Sequence, residues 1–181
     1  MRLFAPLIFM LLAGSIAHAQ NSESGQADTQ RLRQELKEAF DQSQKYTLKL
    51  CEQMPGEFYD FRSTEATMTF SEQFRHCITF TTDQVAGRFG VNNPHRESPV
   101  PKVMTKEQVI GEVNKMYNFL RETIQSVPYE KLFLKQSYAG SEIPGWRLLY
   151  ALENHLIHHR GQCIVYLRLK GITPAEGFLG W

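Results

Sequence analysis

The segment Tyr150–Ile172, with the sequence YALENHLIHHRGQCIVYLRLKGI, is the stretch that decides the fold. Its apolar residues recur every three to four positions, which predicts a helix with one face turned to a core. We expect this helix to begin near Pro144 and to run to about Lys170. Gly171 and Pro174 follow it, and both residue types are typical of a helix end.

A five-residue stretch of this helix contains three of the six histidines of the chain: His155, His158 and His159. At 100° per residue, His155 and His159 are about 40° apart on the core-facing side. Two imidazoles one helical turn apart can bind one metal ion at about 2.0 to 2.1 Å. His158 lies near the edge of the apolar arc and is predicted to be a neighbour of the site. The pair alone is also compatible with two hydrogen-bonded or surface histidines.

Three further helices are predicted upstream. Residues 29–51 and 70–89 carry apolar side chains at helical spacing, and Gly90 is placed to cap the second of these helices. The third begins at a capping box formed by Thr105 and Gln108. The chain has no convincing strand pattern and no internal repeat. We therefore predict an all-α four-helix bundle, in which sites are built from side chains on facing helices.

The N-terminus resembles an export signal. Met1-Arg2 precedes the apolar run Leu3–Leu12, and Ala17-His18-Ala19 matches a cleavage signature. The run is shorter than the ~20 residues that a membrane-spanning anchor needs. We expect residues 1–19 to be a signal peptide, 20–28 a disordered leader and 29–181 one helical-bundle domain. The mature protein would be periplasmic or secreted, with no membrane association.

The charge balance argues against nucleic-acid binding. The chain has 20 Lys and Arg against 19 Asp and Glu, and cleavage would remove Arg2 and no acidic residue, so that the formal charge falls from +1 to zero. Nucleic-acid binding by charge needs clustered positive residues. No nucleic-acid partner is therefore expected.

The three cysteines are Cys51, Cys77 and Cys163. An odd number in an exported protein allows at most one intramolecular disulfide and leaves a thiol over. The sequence does not choose a pair. The alternative is that they are small buried apolar side chains.

The C-terminal motifs resemble a known family. His158-His159-Arg160-Gly161-Gln162, followed by residues 164–169 (IVYLRL) and 171–174 (GITP), is similar to the last helix of DinB-like proteins. These proteins are four-helix bundles regarded as metal-dependent. Residues 70–76 (FSEQFRH), with the Arg-Phe-Gly that ends at Gly90, resemble the family's other histidine-bearing helix. Together the matching segments span most of the mature chain.

The resemblance implies a ligand set. His76 would be the first ligand of one divalent ion, with His155 and His159 as the other two, and the ion would be Zn, Ni, Mn or Fe. Spacing alone leaves His76 undecided, because the apolar stripe of its helix, with Phe74 and Ile78, lies on the other side.

Three neutral imidazoles leave a divalent ion with an open position that water can fill. Such a water can have its pKa lowered toward ~7, or the position can bind a thiolate. The resemblance correspondingly implies a metal-dependent hydrolase or a thiol transferase acting on a small molecule. Family members are often homodimers, and the sequence leaves the oligomeric state open. No catalytic side chain is assigned beyond the metal-bound water. The alternative is a noncatalytic metal-binding or structural bundle.

Position 156 excludes one metal chemistry. A zinc protease of the H-E-x-x-H type needs Glu directly after the first helical histidine, and this chain has Leu156. Mid-helix Gly161 costs about 1 kcal/mol relative to Ala, so we expect it to allow close approach of another helix. Arg160 and Gln162 are predicted to be structural partners, and His95, in a proline-containing loop, to be solvated.

Overall fold

A computed structural model of the protein describes the backbone of residues 7–175. The burial of individual residues is described for Gly25 and from Ala27 onward. The chain divides into two compact units, residues 1–35 and 36–181. The first unit contains the N-terminal part of a long helix. The helix bundle and the candidate site belong to the second unit.

The described residues form five α-helices, one short 3₁₀ helix and one two-stranded sheet. In chain order these are α1 (Leu7–Gln53), the 3₁₀ helix (Gly56–Phe58), α2 (Phe70–Phe89), α3 (Lys106–Ser126), α4 (Tyr129–Phe133), β1 (Lys135–Tyr138), β2 (Ser141–Pro144) and α5 (Gly145–Leu169). The part of α1 in the second unit forms the bundle with α2, α3 and α5, which confirms the predicted all-α class. Within the described residues, no helix combines the length and the apolar character needed to cross a membrane.

Helix α1 is longer than the periodicity predicts. It is continuous through residues 20–28, where composition indicates a disordered leader. Backbone hydrogen bonds of a helix are local, so an established helix can extend through a polar segment. The predicted cleavage near Ala19 concerns the processed chain and stays a prediction.

The starts of α2 and α3 are fixed by side chains close in sequence. At α2, the Thr69 hydroxyl accepts from the Glu72 backbone N–H, and the Glu72 carboxylate accepts from the Thr69 N–H. Thr105 and Gln108 make the same reciprocal pair at α3, as predicted. These capping boxes satisfy backbone donors that a helix N-terminus otherwise leaves free. The end of α2 is also as predicted, because Gly90 adopts φ 68°.

The connection between α3 and α5 contains elements that the sequence analysis did not predict. Besides α4, it holds an antiparallel hairpin in which Lys135 pairs with Pro144 and Tyr138 with Ser141. The two turn residues, Ala139 and Gly140, both have positive φ, as a tight hairpin turn requires. Each strand has only four residues without a clear apolar alternation. The two strands were therefore too short to be predicted from the sequence pattern.

Close packing at Gly145 holds the beginning of α5. A Cβ at this position would clash with the Lys131 carbonyl oxygen and would lie 3.0 Å from the Phe89 ring. No side chain fits there without movement of the backbone of α4. The start of α5 is thus seated against α4 and the last residue of α2.

A hydrogen-bond network around a buried ion pair of α5 joins this helix to α1 and α3. Arg160 donates from Nη2 to Glu153 Oε1 at 2.9 Å, and both residues are almost fully buried. The hydroxyl of Ser43 donates to Glu153 Oε2 at 2.6 Å and accepts from Arg160 Nη1 at 2.6 Å. Thr47 and Tyr117 complete the network. Such hydrogen bonding is needed to offset the desolvation of two charges.

The three cysteines are buried and free. Burial raises the pKa of each thiol, which keeps them protonated at neutral pH. They pack as apolar residues of the core.

Candidate metal centre

Helices α2 and α5 bring three histidines together. His76 comes from the second turn of α2, and His155 and His159 come from successive turns of α5. The Nε2 atom of His155 lies 3.1 Å from that of His76 and 3.1 Å from that of His159. The ring centroids are 4.5 to 5.0 Å apart. The structure therefore places all three predicted ligands around one point.

The spacing of these nitrogens fits a common metal ion. Two ligands at about 2.0 to 2.1 Å from an ion with tetrahedral angles are about 3.3 Å from each other. The observed separations of 3.1 Å are close to that value. Each residue offers one ligand atom, and these atoms lie within 4.8 Å of one another. The cluster could hold a metal ion through three imidazole nitrogens.

A chain of hydrogen bonds fixes the tautomer of His159. The Tyr166 hydroxyl donates to the Met68 carbonyl at 2.7 Å, so its oxygen accepts from Gln73 Nε2 at 3.3 Å. Gln73 Oε1 consequently faces His159 Nδ1 and accepts its N–H. A neutral His159 that is protonated at Nδ1 presents its Nε2 lone pair to the cluster. Metal-binding histidines are commonly oriented by such a partner on the second nitrogen.

Hydrogen bonds among the three histidines cannot satisfy all of their ring nitrogens. His159 Nε2 is an acceptor, so His155 can donate to it from Nε2, but the same nitrogen also contacts His76. One proton cannot serve both contacts. In that state His155 Nδ1 is a buried acceptor, and within the described residues it has no hydrogen-bond partner. A cation shared by the three Nε2 lone pairs removes the conflict at Nε2, and His155 then carries its proton on Nδ1.

The environment favours neutral imidazoles. Burial lowers the pKa of His76. Burial, followed by the charges of His76 and His158, lowers the pKa of His155. The pKa of His159 falls to about 4, because of burial first and then the neighbouring histidines. Neutral rings are the form that binds a metal, so the site is ready for an ion at neutral pH.

An aromatic ring and a cleft border the cluster. The Phe80 ring is stacked on His76 at 5.9 Å and lies 4.6 Å from His155, measured between ring centroids. A cleft of about 340 Å³ reaches His76 between α2 and the loop at residues 66–68. Phe80 thus covers His76 and His155 on one side, and the cleft gives a small molecule access to His76.

Other residues singled out in the sequence lie elsewhere. His158 is exposed, with its ring 5.1 Å from that of His159, which agrees with its assignment as a neighbour. Arg160 points into the ion-pair network with Glu153, and Gln162 is exposed. Nothing in the described residues lies within 4 Å of a Cβ built at Gly161, so its predicted role in helix approach is wrong.

His95 also differs from its prediction. It is 7% exposed and not solvated. Its Nδ1 lies 3.5 Å from the Glu112 carboxylate and 3.5 Å from Lys115 Nζ, both on α3. The loop carries buried Val100 onto the bundle, and the histidine is buried with it.

Gln73 and Tyr166 are the site residues that the sequence analysis missed. Gln73 is buried three positions before His76, on the same side of α2. A polar residue at that spacing from a candidate ligand was the sequence feature that could have predicted its role in the site. Tyr166 lies on α5, and its hydrogen bond with Gln73 depends on packing between α2 and α5.

Comparison with known proteins agrees with the motifs. A sequence model of the DinB superfamily matches residues 39–163. The chain belongs to the DinB superfamily. Crystal structures of DinB-like proteins from Bacillus subtilis and Bacillus cereus are similar to it, with TM-scores of 0.65 each and identities of 19% and 20%.

The alignments cover 80% of this chain and 97% of the B. subtilis protein, and 78% and 95% for the B. cereus protein. At this level of identity the two structures establish the fold of this DinB-superfamily protein and no more. A search of curated proteins found no match.

Proposed function

We propose that this DinB-superfamily protein is a metal-dependent enzyme that binds one divalent ion through His76, His155 and His159. The observation that carries the proposal is the convergence of three Nε2 atoms from two helices. Three ligands leave a position open, as in catalytic sites, whereas structural zinc sites have four protein ligands. A divalent ion there would supply Lewis acidity, which activates a water or a thiol as nucleophile.

The residues of the chain have distinct tasks in this proposal. Gln73 holds His159 in the tautomer that presents Nε2. Phe80 shields His76 and His155 from solvent on one side. The cleft beside His76 admits the substrate, a small molecule. The site thus consists of a fixed ligand set with one accessible side.

Hydrolysis is the reaction that we favour. A predicted export signal would separate the protein from cytosolic thiols, whereas water is available in every compartment. Thiol transfer is the second reaction class for the same site. A noncatalytic metal-binding protein is the alternative to both.

Elemental analysis after reconstitution with Zn, Ni, Mn or Fe tests metal binding. We expect near one equivalent in the wild-type protein and its loss in His155→Ala. His158→Ala is the matched control, because His158 lies on the same helix but outside the cluster. Metal that is absent from the wild type, or equally retained by His155→Ala, would contradict the proposal.

A substrate screen separates catalysis from storage. Metal-loaded protein is incubated with ester and amide substrates, and with thiols in combination with electrophiles. We expect turnover of an ester or amide that disappears in His155→Ala and persists in His158→Ala. Stoichiometric metal without any turnover would favour the noncatalytic alternative.

The proposal includes export and leaves two further expectations to simple measurements. N-terminal sequencing of protein from the periplasm or medium should begin at Gln20 if cleavage follows Ala19. Size-exclusion chromatography with light scattering distinguishes a monomer from the homodimer that is common in the family. A mature protein that starts at Met1 in the cytoplasm would contradict export and would restore thiol transfer as the favoured reaction.

A further inference from the structure

Arg75 lies between two clefts on the accessible side of α2. The cleft beside the histidine cluster, about 340 Å³, is lined by Arg75, His76 and Thr79. A second cleft of about 410 Å³ is formed against the loop 91–100, and Arg75 and Thr79 line it as well. Both volumes are in the range of small-molecule sites. A ligand that fills the cleft beside His76 is therefore next to Arg75 as well.

The guanidinium group of Arg75 is held in place by a hydrogen bond from only one of its three nitrogens. Arg75 Nε donates to the Pro101 carbonyl at 3.0 Å, and the side chain is half-buried. Within the described residues, Nη1 and Nη2 have no hydrogen-bond partner, and Arg75 takes part in no ion pair within 4.0 Å. Anchoring of the loop needs only Nε. The two terminal nitrogens remain for a ligand.

Each acidic residue of the clefts has a hydrogen-bond partner other than Arg75. The pKa of Glu72 is lowered by its hydrogen bond from Thr69 first, and also by the charges of Arg62 and Arg75. Glu72 accepts from the Thr69 backbone N–H at 2.7 Å in the capping box. Asp83 accepts from Asn93 Nδ2 at 2.6 Å. Both carboxylates are exposed, so their effect on a ligand at Arg75 is screened by water.

We propose that Arg75 binds the carboxylate of a substrate whose reacting group lies at the histidine cluster. The guanidinium group is planar, and its two terminal N–H groups match the two oxygens of a carboxylate. The substrate class would then be small carboxylic acids that carry a second, reactive group. This inference rests on the proposed function.

Succinate, a small dicarboxylate, and succinamide, its uncharged diamide, are suitable probes. Each is titrated by calorimetry into zinc-loaded and into metal-free protein. The variants are Arg75→Gln and the matched control Arg88→Gln, which lies on the same helix and lines neither cleft. Zinc content and unfolding midpoint are measured for each variant.

We expect the wild type to prefer succinate, and Arg75→Gln to bind it about tenfold more weakly, as for one lost hydrogen-bonded charge. Zinc content should not change, and Arg88→Gln should stay within about twofold of the wild type. Equal succinate affinity in Arg75→Gln, or no wild-type preference for succinate over succinamide, would overturn the inference. Failure to bind zinc would instead remove the proposed function, and the titration of metal-free protein would still decide the role of Arg75.

Discussion

Replacement of Gln73 by Leu tests how far the hydrogen-bond chain behind His159 controls metal binding. The substitution introduces an apolar side chain of similar size and removes the acceptor for His159 Nδ1 and the donor for Tyr166. Gln73 is 5% exposed, so water cannot readily replace the lost acceptor. His159 would keep its ring but lose the partner that selects its tautomer.

The expected size of the effect follows from two independent estimates. A buried donor left without a partner costs about 1 to 3 kcal/mol. This corresponds to about 5- to 150-fold in an equilibrium constant, at about 1.4 kcal/mol for each factor of ten. Loss of a hydrogen-bond partner of a metal-binding histidine costs about 10- to 100-fold in metal affinity. We therefore expect the zinc affinity of Gln73→Leu to fall by about 30-fold.

Competition with a chromophoric chelator near neutral pH measures this affinity. Gln84→Leu is the matched control, because Gln84 lies on the same helix and outside the cluster. Tyr166→Phe removes only the far end of the chain and should reduce the affinity by less than about tenfold. An unchanged zinc affinity in Gln73→Leu, with urea unfolding that shows a folded protein, would refute the role assigned to Gln73.

Two further predictions concern stability. The pKa of His159 is lowered from 6.5 to about 4, so the metal-free folded chain binds fewer protons than the unfolded chain in that window, and its stability should fall as the pH falls from 6.5 toward 4. The free energy of unfolding, measured with urea over this range, should depend less steeply on pH in His159→Gln than in the wild type. An identical pH dependence in the two proteins would contradict the lowered pKa of His159. Arg160→Met should lower the free energy of unfolding by about 3 to 5 kcal/mol, because Glu153 is left buried without its partner. The double variant Arg160→Met/Glu153→Leu should lose much less of its free energy of unfolding. Equal losses in the single and double variants would show that the unpaired charge of Glu153 does not cause the destabilisation.

The sequence by itself determined the features that depend on neighbours a few residues away. The capping box at Thr105 and the left-handed residue at Gly90 were predicted because caps act within one helical turn. The pairing of His155 with His159 follows from the helical repeat alone. His76 was proposed from the resemblance to a family, since the apolar stripe of its own helix pointed elsewhere.

Only the tertiary structure decided which side chains meet across helices. The approach of His76 to His155 and the chain from Gln73 to Tyr166 depend on how α2 and α5 are rotated against each other. The burial of His95 likewise depends on where a loop comes to rest on α3. These contacts join residues that are 17 to 93 positions apart, a separation over which helical periodicity carries no information. Packing of the whole bundle sets them, because each helix must bury its apolar face against the others.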